Sequence, residues 1–171
     1  MVSRDDKLLL DLRGNPGGYL EAAIDMASWF LSPSKVVVRE DFGGTQEQKV
    51  YRSRGYDIFA NKLKFVILVD KGSASASEIL AGALQEQGKA VIVGEQTFGK
   101  GSVQELIDIT PKTSLKITIA RWFTPNGLSI SEKGITPDYI IERTNADRSA
   151  NKDPQLNKAL EILRNKWRLS Y

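Results

Sequence analysis

Phe65-Val66-Ile67-Leu68-Val69, followed by Asp70-Lys71-Gly72 and residues 75–87, decides the fold of this 171-residue chain. Five successive apolar residues without alternation are the pattern of a strand covered on both faces. Lys71-Gly72 breaks that run with a turn. Residues 75–87 then read as an amphipathic helix that stops near Gly88. Ala90-Val91-Ile92-Val93 supplies a second buried strand, so strand, turn, helix and strand follow one another in the order of a βαβ unit.

Working outward, the same order recurs at the start. Leu8-Leu9-Leu10-Asp11-Leu12 has strand character, and the glycine-rich turn Arg13-Gly14-Asn15-Pro16-Gly17-Gly18 follows it. A helix is expected over 20–31, because Leu20, Ala23, Ile24, Ala27 and Leu31 share one face. Val36-Val37-Val38 predicts a further strand, and the polar residues 39–56 a hairpin or surface loop. Residues 103–109 and 115–122 read as an antiparallel pair across Thr110-Pro111-Lys112-Thr113, and Tyr139-Ile140-Ile141 as a last short strand. A polar linker is expected over 144–153 and a helix over 154–167, with Leu156, Leu160 and Leu163 along one stripe. The fold class expected is α/β, with parallel βα units joined to antiparallel hairpins (α+β mixed).

The composition narrows the chemistry. With 41% hydrophobic and 26% charged residues the chain is an ordinary globular one of a single domain's length. A net charge of +3, spread along the chain, argues against a nucleic-acid site; the densest basic stretch, Arg164 to Arg168, is short and belongs to a helical tail. No apolar stretch reaches the length of a membrane span, so membrane association of the chain itself is not expected. There is no histidine and no cysteine. Without imidazole or thiol most routes to nucleophilic catalysis are closed, but a serine can still be made nucleophilic if a lysine amine, stripped of its proton by burial, serves as general base. Ser75 and Lys100, 25 positions apart, are candidates for that pair.

Both have plainer readings. Gly72-Ser-Ala-Ser-Ala-Ser-Glu78 puts small residues where a strand gives way to a helix, so backbone N–H groups and the helix dipole favour a developing negative charge there. Ser75-x-x-Glu78 also spells a capping box. Gly94-Glu-Gln-Thr-Phe-Gly-Lys-Gly101 nearly spells a phosphate-binding loop, but Gly101 stands where Ser or Thr is needed, and a strand rather than a helix follows. Lys100 alone would be a solvated loop lysine.

Together with Leu10-Asp-Leu-Arg-Gly-Asn-Pro-Gly-Gly18, these two segments closely resemble the carboxy-terminal processing (tail-specific) peptidases, over residues 8–141. The resemblance implies a ClpP/crotonase-like ββα spiral and a serine endopeptidase that cleaves protein or peptide substrates near their C-termini, without metal or cofactor. It matches Ser75 to the nucleophile, Lys100 to the general base and Gln104 to the residue orienting the lysine. On a strand, Gln104 would share the face of Lys100. Backbone amides of Ala76 and of Gly17 or Gly18 match the oxyanion hole. An acidic residue on the nucleophile helix falls near Glu86, which reads more simply as a solvated helix-end glutamate. The resemblance further implies an extracytoplasmic setting. The family's PDZ domain and the first strand and helix of its core have no counterpart here, so residues 1–143 are expected to be a partial catalytic core of weak or no activity alone, with a C-terminal helix packed on it. A homo-oligomer is compatible with the sequence. A non-catalytic peptide-binding domain of the same fold is the main alternative, and a nucleotide-binding loop a distant one.

Overall fold

The computed structural model describes residues 6–59 and 63–165. Two four-stranded sheets organise it. The first is parallel, in the order β1 (Lys7–Asp11), β4 (Lys64–Val69), β5 (Val91–Gly94), β8 (Tyr139–Ile140). The second is antiparallel, in the order β3 (Lys49–Arg52), β2 (Val36–Asp41), β7 (Thr113–Phe123), β6 (Ser102–Thr110). Helices α1 (Leu20–Ser28) and α2 (Ala76–Glu86) follow β1 and β4, and α3 (Asn145–Ser149) and α4 (Pro154–Arg164) close the described chain.

The unbroken apolar run of β4 has the consequence expected of it. Its alternate residues Phe65, Ile67 and Val69 face the core shared with α1 and α2, while Val66 and Leu68 pack with Val93, Ala159 and Leu163 beneath α4. All five are at most 1% exposed. Each such side chain contributes on the order of 2 kcal/mol through its removal from water. Helix α2 lies between β5 of the first sheet and β2 of the second, and residues 76–84 are all buried. A helix covered all round needs small residues for close approach, which is why its sequence is rich in alanine and carries Gly82.

Residues 39–56 turn out to be a hairpin: β2 runs on to Asp41 and pairs with β3. The expected polar linker contains α3, which forms because the Thr144 hydroxyl accepts the Asp147 N–H at 3.1 Å. The part of the expected last helix beyond Asn165 lies outside the described residues, as does most of the basic stretch. Asp153 begins α4 by accepting the Leu156 N–H at 2.9 Å. The same carboxylate meets Arg13 Nη1 at 2.8 Å, tying the helix to the glycine-rich turn. Burial opposes the charge on Asp153, but the Leu156 amide and the Arg13 guanidinium outweigh it and hold the carboxyl below its usual range.

The β6–β7 ribbon differs from everything else. It stands clear of the core beyond Ala120, and its Leu106, Ile109 and Leu115 are 64%, 62% and 49% exposed. β2 borders β7 only at residues 121–123.

Candidate active site

Ser75 sits at the junction where the buried strand β4 hands over to the buried helix α2. Its backbone is held at φ +55° and ψ −120°, a region costly for any residue with a Cβ. A serine on a sharp, strained strand-to-helix turn presents its hydroxyl outward. The turn is held in shape from below. Asp70 Oδ1 accepts the N–H groups of Gly72 and Gly14, both at 2.8 Å, so one carboxylate joins both glycine turns. Ser73 Oγ donates to the Leu12 carbonyl at 2.7 Å, and the Ala74 N–H donates to the Asn15 carbonyl at 3.0 Å.

These bonds press residues 13–18 against residues 70–76. A Cβ placed on Gly17 would lie 2.5 Å from the Ala74 oxygen, 2.7 Å from the Ala76 nitrogen and 2.9 Å from Ser75 Cβ, and Gly17 itself has φ +92°. Only glycine permits that approach. The Gly17 N–H is already engaged by Asn15 Oδ1 at 2.9 Å. Among the described residues, the amides of Ala76 and Gly18 have no partner. Of the two glycines named from the sequence, Gly18 therefore keeps the free donor, and Gly17 provides the close fit.

Lys100 is brought to Ser75 through Glu78. This glutamate is 0% exposed, and its Oε2 accepts both the Ser75 N–H and the Lys100 N–H at 2.9 Å. The two backbone nitrogens thus lie within twice that distance of each other. Glu78 Oε1 accepts the Gly99 N–H at 2.7 Å and the Thr97 hydroxyl at 2.5 Å. The sequence shows the Ser75–Glu78 link as a local cap; nothing local signals that the same carboxylate reaches residues 97–100. The Lys100 side chain is exposed and, among the described residues, forms no hydrogen bond or ion pair.

Gln104 lies on β6 and is exposed. The alternation expected to align it with Lys100 does not run between them, since β6 begins at Ser102 and its pairing register shifts between Val103 and Gln104. Glu86 is not a freely solvated glutamate: it accepts the Thr124 hydroxyl and the Asn126 N–H, both at 2.7 Å, and pins the turn after β7 to α2. The near phosphate-binding loop is also accounted for. Its Gly99 and Lys100 amides point at the carboxylate of Glu78, so the anion they bind belongs to the protein itself.

Beside the two free amides opens a cavity of about 200 Å³, walled by Leu12, Ala22, Ala23, Met26 and Leu80 and bounded by Gly18 and Ala76. No charged residue lines it. A strained serine, two unpartnered amides and an uncharged pocket next to them form an arrangement suited to acyl transfer: the hydroxyl attacks, the amides receive the oxyanion and the pocket takes a side chain.

Comparison with known proteins shows what the chain is similar to. Residues 4–141 match the model of peptidase family S41. The carboxyl-terminal-processing protease of Synechocystis sp. is 40% identical over 161 residues, 92% of this chain and 37% of that protein. The carboxy-terminal-processing protease of Bartonella bacilliformis is 40% identical over 159 residues, 90% of this chain and 36% of that protein. The chain thus spans less than two fifths of the length of these relatives. Among solved structures, a photosystem II D1 C-terminal processing protease superposes with TM-score 0.74 at 31% identity, over 94% of this chain and 39% of the other. Mature CPAF superposes with the same TM-score at 14% identity, a likeness of fold alone.

Proposed function

The chain belongs to peptidase family S41, and from that membership we propose that it carries the catalytic core of a serine endopeptidase that cuts protein substrates near their C-termini. Ser75 is the nucleophile and Lys100 the general base. The observation that carries this reading is the shared bond to Glu78 Oε2, which holds the two backbones close enough for a four-carbon lysine stem to reach the serine hydroxyl.

The proposed steps are those of acyl transfer. Lys100 takes the Ser75 proton as Oγ attacks the scissile carbonyl. The N–H groups of Ala76 and Gly18 receive the oxyanion, worth several kcal/mol of barrier. The lysine then passes its proton to the leaving amine, and water hydrolyses the acyl ester by the reverse exchange. Gln104 orients the amine once substrate is bound. The cavity of about 200 Å³ accepts a small or medium apolar side chain next to the scissile bond. The catalytic core is assigned to residues 1–143, and α4 packs on it through Ala159 and Leu163. An extracytoplasmic setting fits a chain without cysteine. Among the described residues no helix is long and apolar enough to cross a membrane.

The exposure of Lys100 favours one other reading, a peptide-binding domain of the same fold without catalysis. A fluorophosphonate probe separates the two. We expect covalent labelling confined to Ser75 and abolished in Ser75→Ala, with the melting temperature almost unchanged. Labelling elsewhere, or none, overturns the catalytic reading.

A further inference from the structure

Among the described residues, Glu78 is the most deeply buried ionisable group that the proposed chemistry does not use, at 0% exposure. It has no cation beside it among the described residues. Four donors surround it instead, two on each oxygen: Thr97 Oγ1 and Gly99 N on Oε1, Ser75 N and Lys100 N on Oε2. A carboxylate has about four acceptor sites, and here all are filled. The Thr97 hydroxyl accepts the Ile135 N–H at 2.7 Å, so its own proton is directed at Glu78. The donors come from two separate parts of the fold, the β4–α2 turn and the loop before β6. A helix cap would need only the first of them.

We propose that Glu78 is a positioning residue that locks the Ser75 turn to the Lys100 loop, so that one buried carboxylate sets the spacing of nucleophile and base. The proposal deepens the peptidase reading and rests on it. Two features make the lock specific to a carboxylate. Glutamine has the same shape but only one acceptor oxygen, so its NH₂ would face two N–H or O–H donors and release one side of the lock. The strained backbone of Ser75 persists only if its surroundings fix it, and its N–H bond to Glu78 is one of those constraints. Loss of the lock lets the lysine loop drift from the serine, and a displacement of about 1 Å costs roughly 10²-fold in rate.

The test uses the full chain, Glu78→Gln, Thr97→Val and a control, Leu163→Ala, which lowers stability from the opposite face of the parallel sheet. Backbone hydrogen exchange at Gly99 and Lys100 is read together with the rate of fluorophosphonate labelling, well below every melting temperature. The lock predicts that Glu78→Gln speeds exchange at those two amides and slows labelling about 10²-fold, with probe affinity within a few-fold. Thr97→Val does the same more weakly, which covers failure of Glu78→Gln to fold. The control changes neither. Unchanged exchange at Gly99 and Lys100, or labelling slowed no more than in the control, overturns the lock. If the wild type is not labelled at all, the peptidase reading falls, while the exchange measurement still decides whether Glu78 joins the two segments.

Discussion

The Ser75 side of the site is carried by β4 and α2, whose residues 65–69 and 76–84 are buried, whereas the Lys100 side is carried by a loop and by the exposed β6–β7 ribbon. Ser75, Ala76 and the glycine turn are fixed by a dense set of short hydrogen bonds. Lys100 is fixed through its backbone, and among the described residues its amine has no partner. The difference teaches where preorganisation resides. In the proposed mechanism the Ser75 hydroxyl and the amides of Ala76 and Gly18 are set before substrate arrives, while the Lys100 side chain faces water. A lysine becomes a base when water is removed from it. A substrate chain lying across the ribbon and Ser75 would supply that covering.

The sharpest way to break this contrast is at Lys100. Lys100→Ala and Lys100→Arg are both expected to lower kcat/KM by about 10⁴-fold, because a guanidinium keeps its proton. Neither should move the melting temperature, since the side chain is exposed. Peptide hydrolysis and thermal unfolding of both variants check this. Activity retained by the arginine variant would show that a positive charge, rather than a proton acceptor, is what the site needs.

The nucleophile side yields to a smaller intrusion. Gly17→Ala inserts a methyl group where less than 3 Å is available to Ala74, Ser75 and Ala76, and asks for φ +92° from a residue with a side chain. Pushing the turn away from Ser75 should lower kcat by roughly 10²-fold or more. Gly18→Ala meets nothing within 4 Å and keeps its N–H, so its activity should stay within a few-fold of wild type. Steady-state kinetics of the pair decide; equal losses would mean that Gly17 is an ordinary turn residue.

How far the sequence could be read follows the same division. The strand 65–69, the helix after it and the glycine turn were legible because burial on two faces leaves an unbroken apolar run, and close approach leaves glycine. Glu78 and Asp70 were not legible as links between segments. Their partners lie 22 and 56 positions away, at Lys100 and Gly14, and a carboxylate accepting a backbone N–H leaves no mark on the residue that donates it. The role of Glu86 was missed for the same reason, since it binds Thr124 and Asn126. Gln104 was matched through the resemblance; the strand alternation that would put it on the face of Lys100 does not run between them, since β6 begins at Ser102 and its register shifts between Val103 and Gln104.

Stability should divide along the same line. Leu68 is 0% exposed on β4 and Ile109 is 62% exposed on β6. Leu68→Ala is expected to cost about 2–5 kcal/mol through lost transfer energy and the cavity left behind. Ile109→Ala should change stability by less than about 0.5 kcal/mol. Urea midpoints of the two variants measure the contrast, and a large loss at Ile109 would show the ribbon to be covered in solution.

A further effect, smaller than that at Leu68, is electrostatic and lies at the foot of the nucleophile side. Asp153 joins α4 to Arg13, one residue before the Gly14 amide held by Asp70. Burial works against its charge, and the Leu156 amide and Arg13 outweigh that penalty, so the carboxyl is held below its usual range. A carboxyl lowered in the folded state contributes stability that is complete above its unfolded value, about 3.9, and is lost as pH falls through the lower folded value. Asp153→Asn removes the charge and keeps a good N-cap for α4, so the difference isolates the ion pairs with Arg13 and Arg143. At pH 7 the variant should melt roughly 2–4 °C below wild type, corresponding to about 1 kcal/mol. The gap should close as pH drops below about 4, where wild type loses the same charge. Melting curves across that range test the assignment: a gap that persists at low pH would assign the effect to packing around Asp153 rather than to its charge, leaving Arg13 held by its ion pair with Asp11.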